Sequence, residues 1–317
     1  MMARQPERLV VATPSLCAAA YCTCLLATVI AVFLFWATGT SVAVVPLAPF
    51  AGAVLILAGL NVIYTRWRPD PIIGPVAGGL AVVTWAGLVA GMAALAALRT
   101  GAPLIDVSLA RADAILGLYT PTLVAWMAPY SIITSVLEVA YVSTVPMVFA
   151  TVILLGLRRR ETRMWELCFV FAATAPVCAF LAAGAPAIGA FTYYGVSPDI
   201  LTMLPTGAGR FFLPVFQAYH SRTVNVIDVR HLEGVVEFPS FHAIMALMTA
   251  HALRDLRALS GLAWTWSSII LISTIPIGGH YVIDIIGGAL IWAVITLSIH
   301  IRAIWHPDQK GLVAADR

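Results

Sequence analysis

The chain has 317 residues, of which 61% are hydrophobic and 10% are charged, and its mean hydropathy is +0.94. These values lie far outside the range of soluble proteins and are typical of membrane proteins. The formal net charge of +3 needs no acidic partner to explain it, and we expect no nucleic-acid partner. We therefore predict an all-α, polytopic membrane protein in which no soluble domain of useful size remains between the spans.

Apolar runs along the whole chain predict about eight transmembrane helices, because each is long enough to cross roughly 30 Å of hydrocarbon. The fourth is the least defined, since the apolar run 114–157 is too long for one span and is divided by Pro121 and Pro129. The segment 107–128 is therefore an interfacial helix, a re-entrant helix, or a ninth crossing that would reverse everything after it. The eight predicted spans are 15–38, 44–64, 73–97, 131–156, 165–190, 240–257, 262–278 and 282–303.

The basic residues predict the orientation of the bundle, because cytoplasmic loops of membrane proteins are enriched in Lys and Arg. With eight spans and a cytoplasmic N-terminus, 13 of the 18 basic residues lie on the cytoplasmic side. Both termini are then cytoplasmic, and the loop 190–240 lies on the extracytoplasmic side. The membrane is predicted to be the cytoplasmic (inner or plasma) membrane. The five basic residues on the outer face are Arg99, Arg111, Arg210, Arg222 and Arg230.

The five cysteines lie in or beside the predicted spans and not in the outer loop. Their spacing indicates neither a disulfide framework nor a set of metal ligands. We therefore predict no metal and no other cofactor. The cysteines are Cys17, Cys22, Cys24, Cys168 and Cys178.

The sequence FPSFH, residues 238–242, stands where the long outer loop meets the sixth predicted span. Ser240 is placed to cap this helix, and the preceding proline interrupts no helical hydrogen bond. The free N–H groups and the positive end of the helix make this position suited to an anion. His242 follows directly, at the outer end of the span.

The sequence GGHYVID, residues 278–284, stands at the start of the eighth predicted span. His280 and Asp284 are four residues apart, so on a helix they share one face. The carboxylate can then accept from one imidazole nitrogen, fix the tautomer and stabilise the imidazolium. Gly279 lets the backbone approach a phosphate closely. Because the chain crosses inward after His242 and returns before His280, both histidines are predicted at the outer surface.

FPSFH followed by GGHYVID resembles the second and third signature motifs of the type-2 phosphatidic acid phosphatase superfamily, especially its branch similar to inositol phosphorylceramide synthases. The resemblance covers roughly 105–303 and includes RADAILG and LEVAYVS upstream. It implies a six-helix phosphatase-like membrane core, predicted at 71–305. The segment 1–70 is then an additional pair of transmembrane helices, and 306–317 a cytoplasmic tail.

The resemblance also implies a phosphohistidine mechanism. His280 would attack phosphorus, Asp284 would orient it and balance its charge, and His242 would protonate the departing oxygen. Glu138 in the fourth span and Tyr281 beside His280 are further candidates for side chains that support the site. A structural hydrogen bond of Glu138 to a neighbouring helix or to Tyr141 in its own span is an equally open interpretation.

The chain departs from the superfamily pattern at its phosphate-binding cations. The first motif, Lys-x6-Arg-Pro, is absent. The only Arg-Pro pair, Arg68-Pro69, has Asn61 at the position of the lysine, and it lies on the predicted cytoplasmic side. In the third motif, Thr274 stands where the arginine is usual. Phosphate binding is therefore assigned to Ser240, Gly279 and an arginine of the outer loop. Arg222 is the first choice because it can fold back over the site, and Arg210 and Arg230 are the alternatives.

Two classes of function remain open. The first is a membrane enzyme that hydrolyses or transfers the phosphate of a lipid, either as a phosphatase or as an alcohol-accepting transferase similar to inositol phosphorylceramide synthase. The second is a transporter in which His280 and Asp284 relay protons, although no clear inverted repeat supports it. The partners expected are a lipid phosphate and the bilayer. Phosphatidate, isoprenyl diphosphate, sphingolipid and phosphoinositide all fit the pattern.

Overall fold

Seven helices are long and apolar enough to cross a membrane in the part of the chain that the computed structural model describes, residues 13–232 and 234–305. The chain is therefore an all-α, multi-pass membrane protein, as the composition predicts. The predicted tail 306–317 lies outside the described residues. The seven helices are Ser15–Thr38, Val44–Trp67, Ile73–Leu98, Ser131–Leu157, Glu161–Gly184, Arg257–Gly278 and Val282–Ile301.

Shorter helices fill the connections between the long ones. Two short strands, β1 (Ser41–Val42) and β2 (Val226–Ile227), pair in parallel and tie the first connection to the long loop before the sixth predicted span. Turns of π-helix continue α2 through Ile63–Trp67 and α12 through Thr274–Gly278. The helices are α1 (Thr13–Thr38), α2 (Val44–Val62), α3 (Ile73–Leu98), α4 (Asp106–Ile115), α5 (Thr120–Met127), α6 (Ser131–Leu157), α7 (Glu161–Gly184), α8 (Ala190–Tyr194), α9 (Pro198–Met203), α10 (Leu213–His220), α11 (Phe241–Ala252), α12 (Arg257–Ser273) and α13 (Val282–Trp305).

The structure corrects the predicted sixth span, 240–257. The helix there is α11, which has 12 residues and rises only about 18 Å, less than the roughly 30 Å of hydrocarbon. It ends because Arg254 donates to the carbonyl of His251 and so caps the last turn. Helices α6, α7, α12 and α13 all pack against α11. Just beyond α11, Arg254 and Asp255 bond Glu166 and Arg163 near the start of α7. The helix and the residues after it therefore extend together from the Ser240 end of the bundle to the Glu166 end.

The segment 107–128 forms two short helices and not a further crossing. Helix α4 has 10 residues and α5 has 8, which corresponds to about 15 Å and 12 Å of rise. Neither length is sufficient to cross the hydrocarbon. Helix α4 packs against the start of α13, and α5 packs against the end of α12. The segment therefore packs against both sides of the GGHYVID motif and leaves the order of later crossings unchanged.

Small residues bring α3 into close contact with its neighbours. A Cβ atom on Gly79 would lie 2.8 Å from Val152 of α6 and 3.2 Å from Cys168 of α7. In a membrane, where apolar side chains gain little from leaving lipid, such close packing is a main source of helix association. Helices α3 and α7 form the centre of the bundle, α1 packs on both, and α2 packs on α3 with no residue fully buried.

A buried carboxylate fixes the end of the bundle that lies farthest from His280 along α13. Glu166 of α7 bonds Arg163 at 2.9 Å and Arg254 at 3.3 Å. His251 of α11 and His300 of α13 approach the same carboxylate, at 3.2 Å and 3.4 Å. Because a buried charge is costly unless it is paired, these partners hold three helices together at this end.

Asp113 of α4 fixes the other end of α13. Its Oδ2 accepts the N–H of Val282 at 2.9 Å, and its Oδ1 accepts the N–H of Ile283 at 2.8 Å. The first N–H groups of a helix have no partner within the helix, so a carboxylate placed there caps it. Asp113 is fully buried. It thus acts as a cap supplied from a helix 169 residues away.

Replacing Asp113 by Ala leaves two buried N–H groups without acceptors. We expect the free energy of unfolding to fall by about 1 to 2 kcal/mol or more, and Asp113→Asn, which keeps one acceptor, to lose less. The measurement is the melting temperature of the purified protein in detergent. Asp199→Ala is the control, since Asp199 is exposed and Ser197 caps its helix. Equal melting temperatures for the Asp113→Ala and Asp199→Ala variants would contradict the assignment of Asp113 as a cap.

Candidate active site

His280 lies in the tight turn between the π-helical end of α12 and the start of α13. The turn depends on Gly279, whose φ of +82° is a left-handed conformation that a side chain disfavours. A Cβ atom at Gly279 would also lie 2.8 Å from the backbone of Gly209. The Gly279 N–H donates to the carbonyl of Ile275 at 3.2 Å, and the Gly279 carbonyl accepts from Ala190 at 2.9 Å. The N–H of Gly279, a residue predicted to bind phosphate, is thus used inside the turn.

The two nitrogens of the His280 ring have different surroundings. Nδ1 lies 3.2 Å from Asp284 Oδ2 and 3.1 Å from Glu237 Oε2. Nε2 lies 3.3 Å from the Ser240 hydroxyl. Since carboxylates accept hydrogen bonds, this arrangement favours the tautomer with the proton on Nδ1. The lone pair of Nε2 then points toward Ser240, and the ring is oriented for nucleophilic attack through Nε2.

Glu237 is a site residue that the sequence analysis missed. It lies at the end of the outer loop and is 3% exposed. Burial raises the pKa of Glu237 to about 8; His280 opposes this shift, whereas Asp284 and Asp106 reinforce it. At neutral pH the site therefore holds Glu237 mainly in its neutral form. The available signal was a single carboxylate in an otherwise apolar run, five residues before His242.

Ser240 joins the head of α11 to the head of α13. Its hydroxyl accepts the N–H of Ala243 at 3.4 Å and so caps α11. Its own N–H donates to the carbonyl of Asp284 at 3.0 Å. The helices come this close because Gly288 has no side chain: a Cβ there would lie 2.4 Å from the Ser240 carbonyl oxygen. Ser240 is thus fully buried between the two motifs, beside His280 Nε2.

His242 stacks on Tyr141 of α6, a second residue that the sequence analysis did not place in the site. The ring centroids are 4.0 Å apart, and the planes differ by 18°. The Tyr141 ring also reaches the His280 turn, because a Cβ at Gly278 would lie 3.0 Å from Tyr141 and 2.9 Å from His280. Tyr141 therefore lies against both histidines. Its signal in the sequence was a polar aromatic residue inside the LEVAYVS segment.

Tyr281 holds the backbone and carboxylates around His280 in place. Its hydroxyl donates to Asp106 Oδ1 at 3.0 Å, and its N–H donates to Asp284 Oδ2 at 2.9 Å. The other oxygen of Asp106 accepts the N–H of Ile188 at 3.0 Å. Burial raises the pKa of Asp106, and these hydrogen bonds partly offset the shift. Asp106 was also missed, since it lies 175 residues from Tyr281 in the chain.

The structure does not bring Arg222 to the histidines. Its Nε donates to the carbonyl of Arg99 at 2.9 Å, and its Nη2 donates to the carbonyl of Thr100 at 2.7 Å. These carbonyls follow the last turn of α3, where backbone oxygens lack partners within the helix and attract cations. Among the described residues, no contact links Arg222 to His280 or His242. The first-choice phosphate ligand is instead used to cap a helix.

Glu138 lies one helical turn before Tyr141 on α6 and is half-buried. Within residues 13–232 and 234–305 its carboxylate makes neither a hydrogen bond nor an ion pair. Neither interpretation of this residue, support of the site or a structural hydrogen bond, therefore gains a contact from the structure.

In the part of the chain that the structure describes, two groups of three side chains come close enough to offer ligands to a metal ion. One is the His280 cluster itself, and the prediction that no metal takes part there stays a prediction. In the other, Arg163 and Arg254 already neutralise the carboxylate, which disfavours a further cation. The groups are Glu237, His280 and Asp284, and Glu166, His251 and His300.

Comparison with known proteins gives one match. The family model described as the PAP2 superfamily matches residues 107–298, more than half of the chain. The matched range includes His242, His280 and Asp284 and leaves helices α1 to α3 outside. Neither the curated proteins nor the solved structures contain a significant match.

Replacing Glu237 by Gln keeps the shape of the protonated side chain and removes its titration. The folded protein holds this proton up to pH about 8, whereas an unperturbed glutamate loses it near 4.5. The contribution of Glu237 to stability is therefore complete below pH 4.5 and is lost as the pH rises to about 8. We expect the melting temperature of the parental protein to fall, relative to Glu237→Gln, across this window.

The control for this measurement is Asp199→Asn, which removes an exposed carboxylate and should leave the pH profile of the parental protein unchanged. Parallel profiles for the parental protein and Glu237→Gln between pH 5 and 8, both recorded as melting temperatures in one detergent, would show that Glu237 is not protonated in the folded state.

Proposed function

Because the chain belongs to the PAP2 superfamily, we propose that it is an integral-membrane enzyme that forms a phosphohistidine at His280 while hydrolysing or transferring the phosphate of a lipid. Membership in this superfamily supports an enzyme of the phosphatase or phosphotransferase type. The observation that carries the proposal is the His280 ring, with Nδ1 against two carboxyl groups and Nε2 facing the Ser240 hydroxyl.

In the first half-reaction, the lone pair of His280 Nε2 forms a bond to phosphorus, and the bond from phosphorus to the leaving oxygen breaks. His242, in its protonated form, gives its proton to that oxygen. The His280 ring gains positive charge as the N–P bond forms. Asp284 stabilises this charge through Nδ1–H, and the Tyr281 N–H keeps the carboxylate in place.

In the second half-reaction, neutral His242 takes a proton from water or from an alcohol, whose oxygen attacks phosphorus. The N–P bond breaks, and its electron pair returns to His280. Tyr141 holds the His242 ring in both steps, since the two rings are stacked. Burial and the nearby His280 lower the pKa of His242, so we propose that the negative charge of the bound phosphate restores its proton.

Hydrolysis and transfer share the first half-reaction and differ only in which hydroxyl group enters second. A transferase similar to inositol phosphorylceramide synthase is the alternative, and it rests on the resemblance of the two motifs to that branch. Phosphatidate, isoprenyl diphosphate, sphingolipid and phosphoinositide remain candidate substrates. A transporter with a His280–Asp284 proton relay is the less favoured class, because the superfamily match points to phosphate chemistry.

The head of α11 lies deeper than the start of α6, which suits a substrate held at the membrane interface. Tyr141, which stacks on His242, is ten residues after the first residue of α6, Ser131, or about 15 Å along the helix axis. A lipid phosphate could reach this depth while its chains stay in the bilayer. We place the site on the extracytoplasmic side and both termini in the cytoplasm, on the distribution of basic residues.

Single substitutions of the proposed catalytic groups should each remove most activity, because nucleophile, orienting carboxylate and acid act as a unit. We expect His280→Ala, His242→Ala and Asp284→Asn to lower kcat by about 10³-fold or more. The measurement is phosphate release from lipid phosphates by purified protein in detergent. Transfer is detected by adding an alcohol and measuring the phosphoryl product.

His231→Ala is the matched control, since His231 is exposed in the outer loop. Orthovanadate, which resembles the five-coordinate transition state, should inhibit the parental protein, and brief incubation with labelled substrate should give an acid-labile phosphoprotein. Near-parental turnover in His280→Ala would rule out the phosphohistidine mechanism.

The proposed orientation is tested by labelling single cysteines in a variant with Cys22→Ser, because Cys22 is the exposed native cysteine among the described residues. Cysteine is placed at Thr223 in the outer loop or at Ala258 at the start of α12, both of which are exposed. In intact cells, an impermeant thiol reagent should label only position 223. Labelling at position 258 alone would mean that the orientation is inverted.

A further inference from the structure

The two positions where the superfamily pattern has cations hold neutral side chains that bond backbone carbonyls in this chain. Asn61 donates through Nδ2 to the carbonyl of Gly74 at 2.8 Å, which joins α2 to α3. Thr274 donates through its hydroxyl to the carbonyl of Leu271 at 2.8 Å. Neither side chain carries the charge that a phosphoryl group requires. Another cation must therefore be placed near His280.

Three of the five arginines on the predicted outer face have protein partners. Arg222 caps α3, and Arg99 donates through Nε to the carbonyl of Thr38 at 3.4 Å and through Nη1 to that of Val224. Arg230 forms an ion pair with Asp228 at 2.5 Å. The remaining two are Arg111, which is exposed on α4, and Arg210, which is half-buried.

The backbone holds Arg210 directly beside the His280 turn. Gly207 and Gly209 adopt φ values of +81° and +67°, so the chain folds tightly just before Arg210. The Gly209 N–H donates to the carbonyl of Ile277 at 2.7 Å. On the other side of Arg210, the ring of Phe211 lies 6.2 Å from the ring of Tyr141. The residues before and after Arg210 therefore both contact the catalytic region.

The Arg210 guanidinium has no protein partner among the described residues. Its Nε is buried, and the Nε–H donates to no acceptor among the described residues. Among the described residues, no ion pair joins Arg210 to Glu237 or Asp284, and Asp284 Oδ1 also lacks a hydrogen-bond partner. A half-buried cation without a partner is costly, and natural proteins keep such a group where a ligand supplies the missing charge.

We propose that Arg210 is the phosphate-binding cation of this site and that it holds two non-bridging oxygens of the lipid phosphate in its planar fork. The identity of the phosphate as that of a lipid rests on the proposed function. Attack by His280 gathers charge on these oxygens, and a fixed guanidinium stabilises that charge without reorganisation. The ligand in turn satisfies the buried Nε.

The test compares Arg210→Lys and Arg210→Met with Arg222→Lys, the matched substitution at an arginine that caps a helix. Two quantities are measured on purified full-length protein in detergent: kcat/KM for lipid phosphate, and the dissociation constant of orthovanadate by calorimetry. We expect Arg210→Lys to lower kcat/KM by about 10²-fold or more and to weaken vanadate binding by about tenfold or more. Arg222→Lys should stay within about threefold of the parental protein in both.

Arg210→Met provides a readout that a structural role would reverse. It removes an unpaired, half-buried charge, so the ligand-free melting temperature should stay equal or rise while vanadate binding is lost. A lower melting temperature in Arg210→Met would mean that the guanidinium has a structural partner. That result, or vanadate binding within about threefold of parental in both Arg210 variants, would overturn the proposal.

Failure of this proposal and failure of the proposed function give different results. If the parental protein binds vanadate through Arg210 but releases no phosphate from any lipid, the anion site stands and the lipid reaction is wrong. If phosphate release is unchanged in Arg210→Lys but lost in His280→Ala, the reaction stands and Arg210 is not its cation.

Discussion

The contact between the heads of α11 and α13 is the constraint on which the rest of the site depends. The Ser240 N–H donates to the Asp284 carbonyl. The Ser240 hydroxyl lies 3.3 Å from Nε2 of His280, which is 40 residues away in the sequence. Gly288 permits this approach, because any side chain there would collide with the Ser240 carbonyl. With the heads joined, α11 supplies the histidine that we propose as acid, and the turn before α13 supplies the histidine that we propose as nucleophile.

Four acidic residues then converge on the start of α13, and each is accommodated differently. Asp113 accepts two backbone N–H groups, and Asp284 accepts from the Tyr281 N–H as well as facing His280. Asp106 accepts from Tyr281 and from a backbone N–H. Glu237 has no such donors, and burial among the other carboxylates leaves it neutral at pH 7. Asp284, which faces His280 Nδ1 and is held by the Tyr281 N–H, is therefore the carboxyl group that we propose as the partner of the ring.

Both ends of the bundle contain buried carboxylates, but the partners of these carboxylates differ. At the end of α13 that holds His300, Glu166 is surrounded by two arginines and two histidines, so its charge is matched and the helices are fixed. At the His280 end the carboxylates are bonded mainly by N–H donors. Arg210, beside the His280 turn, has no partner among the described residues. A structural cluster thus holds the bundle while the other end keeps its charges available for a substrate.

The sequence by itself determined the all-α membrane class and the pairing of the two motifs, because apolar length and four-residue spacing are local properties. The family match supports the superfamily inferred from those motifs, whereas the branch, the orientation and the division at residue 70 stay predictions. The tertiary structure decided that α11 ends after 12 residues, just before Arg254 bonds Glu166 of another helix.

Tertiary structure also decided which polar residues surround His280. Glu237, Tyr141 and Asp106 could not be chosen from their neighbours in sequence, because their contacts join helices and loops far apart in the chain. The choice between Arg222 and Arg210 was equally hidden. Arg222 donates to the carbonyls at the end of α3, whereas Arg210 lies beside the His280 turn with an unpaired Nε among the described residues. Local patterns fix helices and spacing, whereas the partner of a buried charge is set by packing between distant segments.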